Sequence, residues 1–217
     1  MDIQKLKKKK PEENTEEWLT TYADMMTLLM TFFVLLFSMS TLDPMKMEQF
    51  SDAMGKALGK KKAQQQGRVS LLQISKDVQQ IIEEQNMEDF VEVSTSYRGI
   101  TIGIKSDILF ERGSASLNPN IFPILDKFLP TIKNSEYQIA VEGHTDSDPI
   151  RSEIFPSNWE LSTSRASKVV NYYISVGVDP HRFRAIGFAD TRPKEPNDSV
   201  ENKKANRRVE MTFLSIS

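Results

Sequence analysis

The sequence predicts a single membrane-crossing helix followed by one exported α+β domain, a mixed sheet with helices packed on one face. Three observations predict it. From Met25 to Leu42 the chain reads MMTLLMTFFVLLFSMSTL, without a charge. Beyond residue 69, segments of helical periodicity alternate with strand-like runs. Of the 217 residues, those beyond the apolar run suffice for one domain that buries its own core.

The membrane segment is read as 18–42, including Trp18 and Tyr22 as an interfacial aromatic belt. A helix of that length rises ~37 Å, enough to cross a hydrocarbon layer of ~30 Å. Lys5 and Lys7 to Lys10 precede it, whereas Lys46 and Lys56 are the lysines that closely follow it. This bias places the tail, 1–17, in the cytoplasm and everything after Leu42 outside. The basic block, followed by Glu12, Glu13, Glu16 and Glu17, reads as a solvated membrane-proximal tail, not a nucleic-acid site. The rival is a secretory signal cleaved near Ser38-Met39-Ser40; the length of the run and the acid at its head favour an uncleaved anchor. With no cysteine there is no disulfide or thiol chemistry.

Asp24 heads the apolar run. A charge at bilayer depth costs at least ~2.5–3.5 kcal/mol, so it is expected where function or a partner compensates. At 100° per residue, Thr20, Asp24, Thr27, Thr31 and Ser38 project within a ~60° arc. Back-bonding of hydroxyls to carbonyls one turn earlier explains each of them singly. Their alignment with the acid favours a polar side turned to partner helices or a water path, where a carboxylate loads a cation on one side and releases it on the other.

Asp43-Pro44 reads as an N-cap with proline at the first helical position. It opens a short amphipathic helix over 43–59, with Met47, Phe50, Met54, Ala57 and Leu58 at helical spacing. A polar linker follows over 60–68. In the domain, 69–217, a helix over 69–86 presents Leu71, Ile74, Val78, Ile81 and Ile82. Strands are expected over 91–95 and 100–104, with a turn at Arg98-Gly99. A helix over 121–132 and a strand over 137–142 follow, the strand running into Gly143-His144-Thr145-Asp146. Ser157 and Glu160 form a capping box for a helix that ends near Val176, with Gly177 beyond it. Strands near 184–188 and 209–214 complete the fold.

Together these blocks resemble known families. Gly143-His144-Thr145-Asp146, Asn158-x-x-Leu161-Ser162-x-x-Arg165-Ala166 and Asn206-Arg207-Arg208-Val209 are similar to the OmpA-like peptidoglycan-binding domain. Tyr22-Ala23-Asp24-Met25-Met26-Thr27-Leu28-Leu29 resembles the B subunit of the bacterial flagellar motor stator, as does the insertion Phe155 to Glu160. The resemblance implies an ion-conducting stator subunit anchored to the cell wall: a homodimer whose membrane helices are surrounded by a ring of A subunits of the MotA or PomA type. Asp24, with Thr27 and Thr31, would bind the transported cation. The segment from Pro44 to Leu58 would be a plug against leakage. Thr145, Asp146, Asn158, Arg165, Asn206 and Arg207 would form the peptidoglycan site, Asp146 and Arg165 holding the ammonium and carboxylate of diaminopimelate. That pairing suits the chemistry of a carboxylate and a guanidinium fork. Lys203 departs from the pattern, since related domains often carry arginine there.

Several of these residues also have a plainer reading: Asp146 as an Asx turn, Arg165 as an exposed helix residue, Arg207 with Arg208 as ordinary charges before a strand. The membrane stretch looks closer to sodium-type subunits, and Thr31 adds an oxygen, so sodium is favoured over protons. No cofactor is expected. A wall tether without motor function would keep Asp146 and Arg165 but have no use for Asp24. An energiser subunit of the ExbD or TolR kind has a similar membrane acid but lacks the wall-binding blocks. Hydrolase chemistry finds no recognisable acid–base pair, His144 and His181 being the histidines present.

Overall fold

The computed structural model describes residues 17–38, 69–111 and 113–215. The plug-like helix over 43–59, the linker over 60–68 and almost all of the tail lie outside the described residues. The chain divides into two units, 1–42 and 43–217.

In the first unit, helix α1 spans Glu17–Ser38. Its 21 residues from Trp18 are long and apolar enough to cross a membrane, a rise of about 31 Å. Large apolar side chains from Trp18 to Phe37 stand exposed around it, a distribution suited to lipid as the surrounding solvent. Thr27 and Thr31 donate their hydroxyls to the Asp24 and Leu28 carbonyls, each at 2.8 Å.

The second unit begins with α2 (Leu71–Glu84), capped by the Ser70 hydroxyl, which accepts from the Gln73 N–H at 3.1 Å. Leu71, Ile74, Val78 and Ile82 are buried as the periodicity predicts, and Ile81 only partly. Strands β1 (Val91–Ser96) and β2 (Gly99–Lys105) form a hairpin whose two-residue turn is Tyr97-Arg98, one residue earlier than expected. A short helix α3 (Ser106–Leu109) follows. A 3₁₀ turn over Pro119–Ile121 leads into α4 (Phe122–Asn134). Strand β3 covers Ile139–His144, and α5 covers Asn158–Ser175. Strand β4 (Phe183–Gly187), helix α6 (Val200–Asn206) and strand β5 (Arg208–Leu214) complete it.

Helices α3 and α6 were not expected. They span four and seven residues, and α6 buries Asn206 alone, so neither carries an apolar period to read. The capping box at α5 also differs in detail. Ser157 accepts from the Trp159 N–H at 3.2 Å, and its hydroxyl donates to the Glu160 carboxylate. At the other end Gly177 takes φ +89°. Its N–H reaches Ile174 and that of Val178 reaches Tyr173, each at 3.0 Å, a Schellman closure that a left-handed glycine permits.

The sheet order is β1-β2-β5-β3-β4, with β3 and β4 parallel and every other pair antiparallel. The parallel pair follows from the crossover through α5, since strands joined by a helix return in the same direction. Ile100, Ile102, Ile104, Ile139, Val141, Val209, Met211 and Phe213 are buried together with Ile74, Val78, Leu125, Phe128, Val169 and Tyr173 of the helices. Helix α5 lies so close that a Cβ on Gly143 would fall 2.1 Å from the Ser162 carbonyl oxygen.

Side chains alternate across strands, so Thr101, Thr212, Glu142, His144, Glu210 and Arg208 share the opposite face. Thr101 and Thr212 join at 2.9 Å, and Arg98 forks onto Glu142.

Candidate functional site

The C-terminal end of β3, the first turns of α5, and helices α3 and α6 border a cleft of about 670 Å³, within the usual range of ligand sites. Thr145, Asp146, Asn158, Arg165 and Arg207 all line it, so five of the six predicted wall residues share one cavity.

Asp146 is 7% exposed. Its Oδ1 accepts the Asp148 N–H at 3.3 Å, so the Asx turn forms, and its Oδ2 accepts from Arg207 Nη1 at 2.7 Å. Thr145 fixes the strand end: its N–H donates to the Ala189 carbonyl at 2.8 Å and its hydroxyl to the Asp146 carbonyl at 3.0 Å. Ala189 takes φ +48°, which costs a non-glycine residue some strain. Its N–H is held by the Ser162 hydroxyl of α5 at 3.1 Å. Asn158 donates its amide to the Asp146 and Asp148 carbonyls at 3.3 and 3.0 Å, tying the start of α5 to the loop.

Arg165 is 5% exposed rather than a surface helix residue. Its Nε donates to the Ser114 carbonyl at 2.9 Å, and its guanidinium lies 5.1 Å from the centre of the Phe110 ring. Among the described residues its terminal nitrogens have no hydrogen-bond acceptor. Burial pushes its pKa down to about 10, an effect that Asp107 opposes, Arg207 reinforces and Asp146 opposes. A desolvated cation lining a cleft with unused donors is built to receive an anion.

Arg207 bridges Asp146 and Asp107, donating to the latter through Nε at 3.4 Å and Nη2 at 3.2 Å. Burial lowers its proton affinity, but the hydrogen bonds to Asp107 and Asp146 outweigh this and leave the pKa raised. Lys203 makes a single-point contact with Asp148 at 2.6 Å, a point-charge geometry where arginine would offer a fork.

Asn206 is placed differently from the expectation. It is fully buried and is not among the residues lining the cleft. Its oxygen accepts the Lys194 and Glu195 N–H groups at 2.8 and 2.9 Å, and its amide donates to the Glu195 carbonyl and the Asn197 side chain at 2.7 and 2.9 Å. Asn197 in turn accepts from the Ser147 N–H at 3.3 Å. Asn206 therefore braces the loop beside Asp146 through Asn197. Asp107, Phe110 and Ser114 are site residues that the sequence reading missed. No local signal marks them, because they reach Arg165 and Arg207 only through folding.

Behind the cleft, the potential ligand atoms of Glu142, His144 and Glu210 lie within 4.8 Å of one another. His144 is 2% exposed, its ring stacks on Phe188 at 5.3 Å, and among the described residues neither ring nitrogen has a hydrogen-bond partner, Nε2 lying 3.9 Å from a Glu210 carboxylate oxygen. Burial, with Arg208, Arg192 and Arg98 nearby, brings its pKa down to about 3 against the pull of Glu142. Guanidiniums that oppose a proton here oppose a divalent cation as well, and Arg98 and Arg208 already engage the two carboxylates. The cluster fits an ion-pair network on the sheet and not a metal centre.

Comparison with known proteins bears on both units. Residues 4–58 match a family model described as membrane MotB of the proton-channel complex MotA/MotB, and residues 109–207 match that of the OmpA family. The chain is 34% identical to the uncharacterized protein YtxE of Bacillus subtilis over 94% of this chain and 90% of that one. It is 27% identical to motility protein B of the same species over 97% and 95%. Among solved structures, a MotB-like protein from Desulfovibrio vulgaris superposes with a TM-score of 0.63 at 28% identity, covering 68% of this chain and 92% of that one.

Proposed function

Because this chain belongs to the MotB family of membrane proteins with an OmpA-like domain, we propose that it is an ion-conducting stator subunit that couples cation flow at Asp24 to torque and holds the stator to peptidoglycan. The observation that carries the wall-binding half is Arg165: a buried guanidinium whose terminal nitrogens find no acceptor among the described residues, in the same cleft as Asp146. A peptide end bearing an ammonium beside a carboxylate complements that pair. Thr145 and Asn158 hold the Asp146 loop in place, and Asn206 supports it from behind. The role is mechanical and not enzymatic.

In the membrane, the hydroxyl protons of Thr27 and Thr31 are committed to backbone carbonyls, while their oxygens keep lone pairs. Lone pairs in line with a carboxylate suit a hard cation, which supports Asp24, Thr27 and Thr31 as an ion path. Ligation by several oxygens favours sodium; membership of the matched membrane family in a proton-channel complex favours protons. The N-terminus lies in the cytoplasm on this reading, the segment 43–59 acts as the plug, and a homodimer works within a ring of A subunits.

The test pairs two readouts on one variant. In cells powered by this unit alone, Asp24→Asn abolishes swimming while pull-down by isolated cell wall is unchanged. Retained swimming would leave only the tether. Wild-type swimming speed that rises with external sodium identifies the ion as sodium; indifference to sodium identifies protons.

A further inference from the structure

Asp107, on the short helix α3, belongs to none of the sequence blocks, yet it takes two of the contacts that Arg207 makes. Arg207 lies between two carboxylates. It gives one N–H to Asp146 at 2.7 Å and two to Asp107, at 3.2 and 3.4 Å. A guanidinium grips a carboxylate most strongly through two parallel N–H groups. Here that two-point grip falls on Asp107, and Asp146 receives the single contact. Two carboxylates therefore share one arginine, and the group carries a surplus negative charge in the cleft that also holds the buried cation Arg165.

We propose that Asp107 is a positioning residue that gives the cleft its preference for a ligand carrying an ammonium beside a carboxylate. The proposal rests on the reading that this cleft binds cell-wall peptide. With Asp107 in place, Arg207 is turned away from a full fork on Asp146, and the Asp146 carboxylate keeps lone pairs and net charge for the ligand's ammonium. Once Asp107 is neutralised, the freed Nη2 of Arg207 can join Nη1 in a fork on Asp146. The resulting pair is neutral and self-satisfied, and the ammonium loses its acceptor. Arg165 loses a coulombic attraction to Asp107 but keeps its contacts with Ser114 and Phe110, so recognition of the carboxylate persists. Because Asp107 is 54% exposed on its side chain, the change leaves the core intact.

The test uses the full chain purified in detergent micelles and two probes, 2,6-diaminopimelate and pimelate, which has the same carboxylates without the amines. Dissociation constants follow from NMR titration. For Asp107→Asn the expected result is a roughly tenfold weaker Kd for diaminopimelate, with the Kd for pimelate unchanged to within about twofold, or tighter. Asp107→Glu, which keeps the charge, stays within about threefold of wild type for both. Arg165→Ala weakens both probes. If Asp107→Asn leaves diaminopimelate binding within twofold while Arg165→Ala weakens it, the positioning role is wrong and the cleft reading stands. If Asp107→Asn weakens both probes equally, the residue is merely structural and the proposal is overturned. If Arg165→Ala changes neither, the cleft reading falls and this proposal with it.

Discussion

Replacing Arg165 by methionine should make the domain more stable while ending its hold on the wall. The reason lies in the cost of the buried cation. Burial brings the guanidinium from 12.5 to about 10, which corresponds to about 3 kcal/mol against the charged form at neutral pH. Two contacts offset part of this: the bond to the Ser114 carbonyl, worth about 1 kcal/mol, and the guanidinium over Phe110, worth about 0.5–1 kcal/mol. The net is a stabilisation of about 1–2 kcal/mol on substitution by an apolar chain of similar length, in line with the behaviour of other buried charges. The assay is urea denaturation of a fragment spanning 69–217, followed by circular dichroism, beside pull-down of the same fragment by isolated cell wall. The expected outcome is a higher midpoint with unchanged slope and no retention on the wall. A destabilisation exceeding about 1 kcal/mol would mean instead that the cation's contacts outweigh its desolvation. Retention on the wall would refute its role as the anion receptor.

Two further outcomes follow from the sheet. The depressed pKa of His144, about 3 against 6.5 unfolded, means that its contribution is fully present above pH 6.5 and is lost as pH falls toward 3. Wild type should therefore lose about 2 kcal/mol more stability than His144→Gln between pH 6.5 and 4.5, read from denaturation midpoints at several pH values; parallel curves for the two proteins would show that the histidine does not titrate on unfolding. Gly143→Ala sets a methyl 2.1 Å from a backbone oxygen of α5, so it should cost about 3 kcal/mol and separate Arg165 from Asp146. A stable variant with normal wall retention would contradict the close helix–sheet approach.

Much of this molecule was legible in one dimension. The membrane helix is written as a long uncharged run, the domain's helices as apolar periods, and the end of α5 as a glycine after the last apolar turn. Asp146 and Arg165 could be paired from the sequence only through the resemblance to the OmpA-like domain, whose motifs are local in spacing: a strand end followed by an acid, and an arginine two turns into a capped helix; the structure places both in one cleft. What the motif could not say is how Arg165 is buried. The residues that bury and orient it, Phe110 and Ser114, come from a loop 51 residues upstream at the Ser114 contact.

Asn206 shows the converse. Its motif is as clear as the others, but a carboxamide has four hydrogen-bonding positions, and the fold spent all of them on the loop over 194–197. Helices α3 and α6 escaped notice because elements of four and seven residues are too short to show an apolar period. Read in one dimension, the chain already carried the long apolar helix, the order of the five strands and of the longer helices, and the chemical types that meet in the cleft. Which charges neutralise one another emerges only on folding, because Arg207 meets Asp107 across 100 residues of chain and Asp146 across 61. Electrostatic pairing depends on distances of a few ångströms, and those distances are fixed by packing, not by position along the chain.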